Sequence, residues 1–239
     1  MIRLLRRIGA SVVLAASLAL TACASIPAGN ARVPQDPLEP INRSIFAVND
    51  TIDTYFFRPI AQAYVDYVHE GIRGVFGNVY GNVADVWTSF NQLLQGKPRE
   101  AIGDISRFVI NSTIGFLGIA DIASGIGLEK HYEDFGQTLG VWGLASGPYL
   151  VLPLLGPSSF RDSVGVPLGY VTDPVSRYAS VPVRNSYSSV RFVDIRASLF
   201  PSEKLLESAA LDKYSFIRDG YLQRRRNLVY DGNPPQQKE

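Results

Sequence analysis

From residue 40 onward, apolar side chains recur at helical spacing. Ile41, Ile45, Val48, Ile52 and Tyr55 fall three and four residues apart, forming one stripe of a helix. Arg58-Pro59 predicts the end of that helix and the start of another, because proline suits the first helical position. The second helix carries Ile60, Tyr64, Tyr67 and Val68. Two more are predicted between Gly71 and Gln95, with Gly74, Gly77 and Gly81 at their join and close helix packing as the role of these glycines. Lys97-Pro98 opens the clearest amphipathic helix, with Ile102, Ile105, Phe108, Val109 and Ser112 on one face. Towards the C-terminus three helices are predicted at about 184–199, 202–211 and 212–230, the second capped by Ser202. No alternating pattern is long enough to predict a sheet, so the fold class is all-α.

The middle of the chain differs in kind. Residues 108–120, 135–160 and 163–172 are uncharged, and the charges fall between them, at Asp121, at 129–134 and at Arg161-Asp162. The longest run lies within DFGQTLGVWGLASGPYLVLPLLGPSSFRD, residues 134–162, and is interrupted by Gly136, Gly140, Gly143, Gly147 and Gly156 and by Pro148, Pro153 and Pro157. A membrane-spanning helix needs about 20 apolar residues. Length and hydropathy are met, but each proline removes a backbone donor and clashes with the preceding turn, so one straight helix is excluded. Broken backbone at membrane depth survives only where protein covers it or it lines a wet cavity. Leu150, Val151, Leu152, Leu154 and Leu155 are the candidate lining of such a path. A glycine-packed soluble core is the alternative.

Composition changes this picture mainly at the N-terminus. Arg3, Arg6 and Arg7 precede the apolar run 8–20, the anatomy of an export signal too short to span a membrane. Leu20-Thr21-Ala22-Cys23 resembles the lipobox of bacterial lipoproteins, and Cys23 is the sole cysteine. Residues 1–22 are therefore expected to be removed and Cys23 to be lipidated. Ala24 rather than Asp follows it, which by resemblance to enteric sorting rules favours the outer membrane. Residues 23–38 form a lipidated tether; at about 5–6 Å times the square root of residue number it reaches roughly 20 Å, so the body, 39–230, lies at the bilayer. Residues 231–239 form a polar, disordered tail. Without the three leading arginines the formal charge of +1 becomes about −2, from 20 Lys plus Arg against 22 Asp plus Glu. That balance offers no basic face for nucleic acid. Residues 183–230 hold nine Lys or Arg and five Asp or Glu, which predicts a water-facing part.

Catalytic chemistry is hard to assemble. His69 and His131 are the only histidines and show no zinc-binding spacing. Ser146 sits one place too late in Gly143-Leu144-Ala145-Ser146-Gly147 for a nucleophile elbow. His131 with Glu129, Glu133 and Asp134 reads as a solvated charged loop. No metal or cofactor is expected, and no catalytic residue is assigned. Trp87 and Trp142 suit either an interfacial belt or a core. Arg224-Arg225-Arg226 suits lipid headgroups, an acidic partner or a solvated helix face.

Several motifs in order carry a resemblance. DPLEPINR at 36–43, Arg58-Pro59, FNQLLQGKP at 90–98, NSTIGFLGIAD at 111–121 and the 134–162 stretch together resemble the MlaA (VacJ) family of outer-membrane lipoproteins. Pro40-Ile41 stands where relatives often carry Gly and Phe. The resemblance implies a ring-like helical body sunk in the inner leaflet of the outer membrane, with an amphipathic channel. It implies collection of phospholipid misplaced in the outer leaflet and delivery to a soluble periplasmic carrier, with a trimeric porin as partner. A lipoprotein that only braces a porin, and a hydrolase of envelope lipid, are the alternatives; the first predicts no continuous cavity and the second needs a nucleophile and base.

Overall fold

The computed structural model describes residues 35–235 except 174 and 176–178. Cys23 and the leading segment lie outside the described residues, as do 236–239. Helix α1 (Glu39–Ile52) runs without a break through a π-helical segment, Asp53–Phe57, into α2 (Arg58–Tyr67). The predicted break at Arg58-Pro59 is thus a widened turn. The Pro59 ring clashes with the carbonyl four residues back, and i→i+5 bonding, with the Arg58 amide donating to the Asp53 carbonyl, absorbs the clash. Asp53 is further held by Arg196 Nε and Nη2, at 2.6 and 2.7 Å.

The two helices predicted between 71 and 95 are one, α3 (Glu70–Leu94), and it pairs with α4 (Pro98–Thr113). Gly74 and Gly77 do not serve close packing, since a Cβ at either would meet nothing within 4 Å. The α3–α4 pair is inverted relative to a water-soluble helix pair. Asn82, Asp85, Ser89 and Gln92 on α3 and Asp104, Arg107 and Asn111 on α4 are buried, while Ile102 is 64% exposed and Ile105 and Val109 are also exposed. The amphipathic helix expected at 98–113 is present, with its polar face inward.

That polar interior is knit by side chains. Arg107, 1% exposed, donates to both Asp121 oxygens at 2.9 Å, to Ser124 Oγ at 3.1 Å and to the Leu128 carbonyl at 2.5 Å. Asn111 Nδ2 donates to Asp121, and Gln92 Nε2 donates to Asp104, at 2.9 and 2.8 Å. Lys130 closes on Asp85. Asp121 also caps the short helix α5 (Ile122–Gly125). Between α4 and α5 the chain turns through Phe116 (φ 52°), Leu117 (φ 59°) and Gly118 (φ 88°), exposing Phe116 at 75% and Leu117 at 77%. A run of left-handed residues is costly, and it persists because the backbone bonds of 115–120 and the Arg107 network over-determine it. Gly118 is required twice over, since its φ is positive and a Cβ there would lie 2.7 Å from Asn82 Cβ.

The 134–162 stretch contains α6 (Phe135–Val141) and a hairpin, β1 (Tyr149–Leu152) with β2 (Gly156–Ser159), a sheet that the pattern did not predict. Pro153 and Pro157 exclude a helix, and positive φ at Leu154 (63°) and Gly156 (82°) closes the turn. Val151 pairs with Pro157, which a two-stranded sheet tolerates because both strands are edges. The open edge of β1 is covered by α1. Asn42 donates to the Tyr149 carbonyl and accepts from the Val151 amide, and Asn49 does the same with Leu152 and Leu154, all at 2.9 Å. Seven helical residues rise about 10.5 Å, matching about 10 Å for three strand residues, so two amides two turns apart act as a substitute strand.

Asn42 also donates to Asp36 at 2.8 Å, and Asp36 accepts from Tyr214 and Arg218 at 2.5 and 3.4 Å. Gln35 is docked too, its carbonyl accepting from the Tyr149 amide. Then follow α7 (Phe160–Thr172), α8 (Val181–Ser198), α9 (Phe200–Ala209) and α10 (Lys213–Val229). Ser202 lies inside α9, which starts two residues earlier with Pro201 in its first turn. The first tail residues are tied back as well, through Asp231 to Lys97 at 2.6 Å. Among the described residues no helix is long and apolar enough to cross a membrane.

Candidate functional site

The helices surround a cleft of about 900 Å³. Its walls come from Val83, Ala84 and Trp87 on α3, from Gln137 on α6, from Leu155 and Pro157 on the hairpin and from Gly165, Val166 and Gly169 on α7. The remaining walls are stripes of α8 (Tyr187, Arg191, Phe192 and Ile195) and α10 (Tyr221, Arg224, Arg225 and Leu228). Residues 183–230 are therefore not simply water-facing, because their charges bracket an apolar slot. Spacing of three and four along both helices is what turns these residues to one side.

One wall is built on Arg225. Its guanidinium donates to both Asp134 oxygens at 2.5 and 2.9 Å and to both Asp162 oxygens at 3.0 Å. Tyr221 and Arg161 donate to Asp162 as well, at 2.7 and 2.9 Å. Burial alone raises the Asp134 and Asp162 carboxyls, but the Arg225 guanidinium overcomes it and holds both below the ordinary range. The two aspartates double as helix devices, since Asp134 caps α6 through the Gln137 amide and the Asp162 amide is capped by Ser159. Gly136 makes this approach possible; a Cβ there would lie 2.5 Å from Asp162 Oδ1. Glu133 accepts from Gln95 at 2.9 Å and Lys97 at 3.4 Å, and burial pushes its carboxyl up despite both. His131, Glu133 and Asp134 are thus pinned to neighbouring elements, while Glu129 stays exposed.

The expected path residues separate. Leu155 lines the cleft and Leu154 is exposed, on the turn of the hairpin. Val151 is buried with Tyr149 and Tyr214, packed against Ile45, Phe46, Tyr221 and Leu222. Leu150 and Leu152 are half-buried, alternating with Tyr149 and Val151 along β1. Trp142 donates to the Leu94 carbonyl at 2.9 Å, and Trp87 stacks on Phe90 with ring centres 5.4 Å apart.

The groups considered for catalysis are not brought together. His131 Nδ1 is 2.9 Å from Asp104 Oδ2, and the Ser146 carbonyl accepts from the Arg161 amide. Among the described residues no hydrogen bond joins Ser146 to His131, and no cluster of three or more His, Cys, Asp or Glu could hold a metal. Pattern reading missed the Asn42 and Asn49 pair, the Arg107 network and the cleft-facing stripes of α8 and α10. The legible signal for the first two was polar periodicity, with Asp104, Arg107 and Asn111 spaced as a helical stripe opposite Ile102, Ile105 and Val109.

Comparison with known proteins bears on this architecture. A lipoprotein of Shigella flexneri described as belonging to the intermembrane phospholipid transport system, MlaA, is 31% identical over 201 residues, 82% of this chain and 79% of that protein. Its Escherichia coli K12 counterpart is 32% identical over 202 residues, with 82% and 79% covered. An uncharacterized Rickettsia bellii protein is 31% identical over 195 residues, 81% of this chain and 76% of its own. A solved structure, from work on the structural basis for maintenance of bacterial outer membrane lipid asymmetry, superposes with a TM-score of 0.72 at 31% identity, covering 81% of this chain and 98% of that one. The MlaA lipoprotein family model spans residues 34–228, nearly the whole described body, and the chain belongs to that family.

Proposed function

We propose that this protein is an outer-membrane lipoprotein that takes misplaced phospholipid into its cleft and passes it to a soluble periplasmic carrier, maintaining lipid asymmetry. The single observation that carries the reading is an apolar-walled cleft of about 900 Å³ beside a helix pair, α3–α4, that buries its polar face and exposes its apolar one. A monomer in water rarely exposes large contiguous apolar surface, so Ile102, Val109, Phe116 and Leu117 call for a lipid or protein cover. A body with no spanning helix among its described residues meets that need by sitting in one leaflet. The names of the Shigella and Escherichia relatives, which place them in intermembrane phospholipid transport, point the same way.

In this account residues 1–22 are removed, Cys23 carries the acyl chains, and the segment that follows it tethers the body to the inner leaflet of the outer membrane. Phospholipid tails follow Leu155 and the α7 and α8 walls, with Leu150, Leu152 and Leu154 guiding entry from the hairpin. A trimeric porin covers part of the outer surface. No covalent chemistry is required. A porin brace would not need a cleft, which favours conduction.

Deleting the gene in its host is expected to raise outer-leaflet phospholipid, measured by susceptibility of surface lipid to an added phospholipase. Re-expression of the intact chain restores the barrier, and Cys23→Ala, unanchored, does not. Unchanged surface phospholipid in the deletion strain would overturn the reading.

A further inference from the structure

Arg224, Arg225 and Arg226 are consecutive on α10 yet point to three destinations. Arg225 is spent on Asp134 and Asp162, and Arg226 turns to the Pro235 carbonyl. Arg224 is exposed, lines the cleft, and has no ion pair or hydrogen bond among the described residues. The carboxylates lining the same cleft are all matched. Glu133 has Lys97, Asp134 has Arg225, Asp162 has Arg161 and Arg225, and Asp173 has Arg191 at 3.1 Å. One cation is therefore left over on the wall of a slot whose other walls are largely apolar. Such walls focus the field of a fixed charge into the opening and raise the local concentration of anions.

A guanidinium with free donors fits a phosphate bidentately, more strongly than it fits a neutral acceptor. We propose that Arg224 binds the phosphate of a glycerophospholipid held in the cleft, the tails lying against apolar positions such as Val166 and Ile195. Arg224 thereby makes the cleft select lipids that carry phosphate over neutral lipids with the same tails. This rests on the conduit reading above and adds to it the chemistry by which cargo is chosen.

The test uses the full lipoprotein purified in detergent, with fluorescent phosphatidylglycerol and fluorescent diacylglycerol of matched chains as probes. Arg224→Glu is expected to weaken phosphatidylglycerol uptake about tenfold, equivalent to roughly 1.4 kcal/mol, and to leave diacylglycerol uptake unchanged. Arg224→Lys keeps most of the uptake, because a cation remains. Inorganic phosphate at millimolar concentration does not displace the lipid if the headgroup is the ligand. Displacement by inorganic phosphate as effective as by phosphatidylglycerol assigns the site to free phosphate and overturns the lipid assignment. Equal uptake of phosphatidylglycerol by wild type and Arg224→Glu, or equal loss of both lipids, overturns the role of Arg224 while leaving the conduit in place. A wild-type protein that takes up neither lipid overturns the conduit itself.

Discussion

Arg107→Met is the most revealing single perturbation of the inverted interior. The side chain is 1% exposed and supplies two bonds to Asp121, one to Ser124 and one to the Leu128 carbonyl, with its Nε also 3.5 Å from Asp85. Removing one partner of a buried ion pair costs about 3–5 kcal/mol, because the charge left behind has lost its solvation. Here the cost falls near the lower end, about 3 kcal/mol, since Asp121 keeps the Asn111 and Ser124 donors and Asp85 keeps Lys130. For a protein of this size that corresponds to a fall of roughly 6–12 °C in Tm. Thermal unfolding in detergent micelles, followed by helical circular dichroism, measures it. The double variant Arg107→Met with Asp121→Asn recovers about 1–2 kcal/mol, because the stranded charge is gone and asparagine still caps α5. A fall of less than about 2 °C for Arg107→Met would refute the claim that buried charge pairing holds this half of the body together.

Acid sensitivity follows from Arg225. The Asp134 and Asp162 carboxyls lie below their unfolded value in the folded protein, so their stabilisation is complete above about pH 4 and is lost as pH falls through the folded values. Tm should drop as pH goes from about 4 to 2.5, and Arg225→Met should flatten that limb; parallel wild-type and variant curves would contradict the sign. Glycine positions divide by environment. Gly118→Ala forces a left-handed alanine into Asn82 and is expected to cost about 1–3 kcal/mol. Gly77→Ala, in open space on α3, is expected to gain about 0.5–1 kcal/mol, both read from Tm in micelles.

Helices were legible wherever proline or apolar spacing marked them, and their faces were not. The stripe of Ile102, Ile105 and Val109 announces an amphipathic helix equally well whether the apolar side meets a core or a bilayer. Only the third dimension shows Asp104, Arg107 and Asn111 inward. The hairpin escaped because its alternation is four residues per strand, and its stability comes from Asn42 and Asn49 over a hundred residues away. The cleft escaped for a related reason. Charges at Arg191, Arg224 and Arg225 made α8 and α10 read as solvated, whereas two of the three are taken up by aspartates brought in from other elements. Long-range pairing of this kind leaves no local trace. The motif DPLEPINR marked such pairing only indirectly, since its Asp36 and Asn42 bond to Tyr214 and the Tyr149 carbonyl over a hundred residues away, whereas Asn111 and Asp121 of NSTIGFLGIAD bond to each other within their own motif.

The central claim is that phospholipid occupies the cleft and does not merely coat the outside. A photoreactive amino acid placed at Val166 on the cleft wall, with Ile102 on the outer surface as comparison, tests it in living cells. The account predicts phospholipid adducts at Val166 in the anchored protein. Adducts at Ile102 with none at Val166 would contradict it.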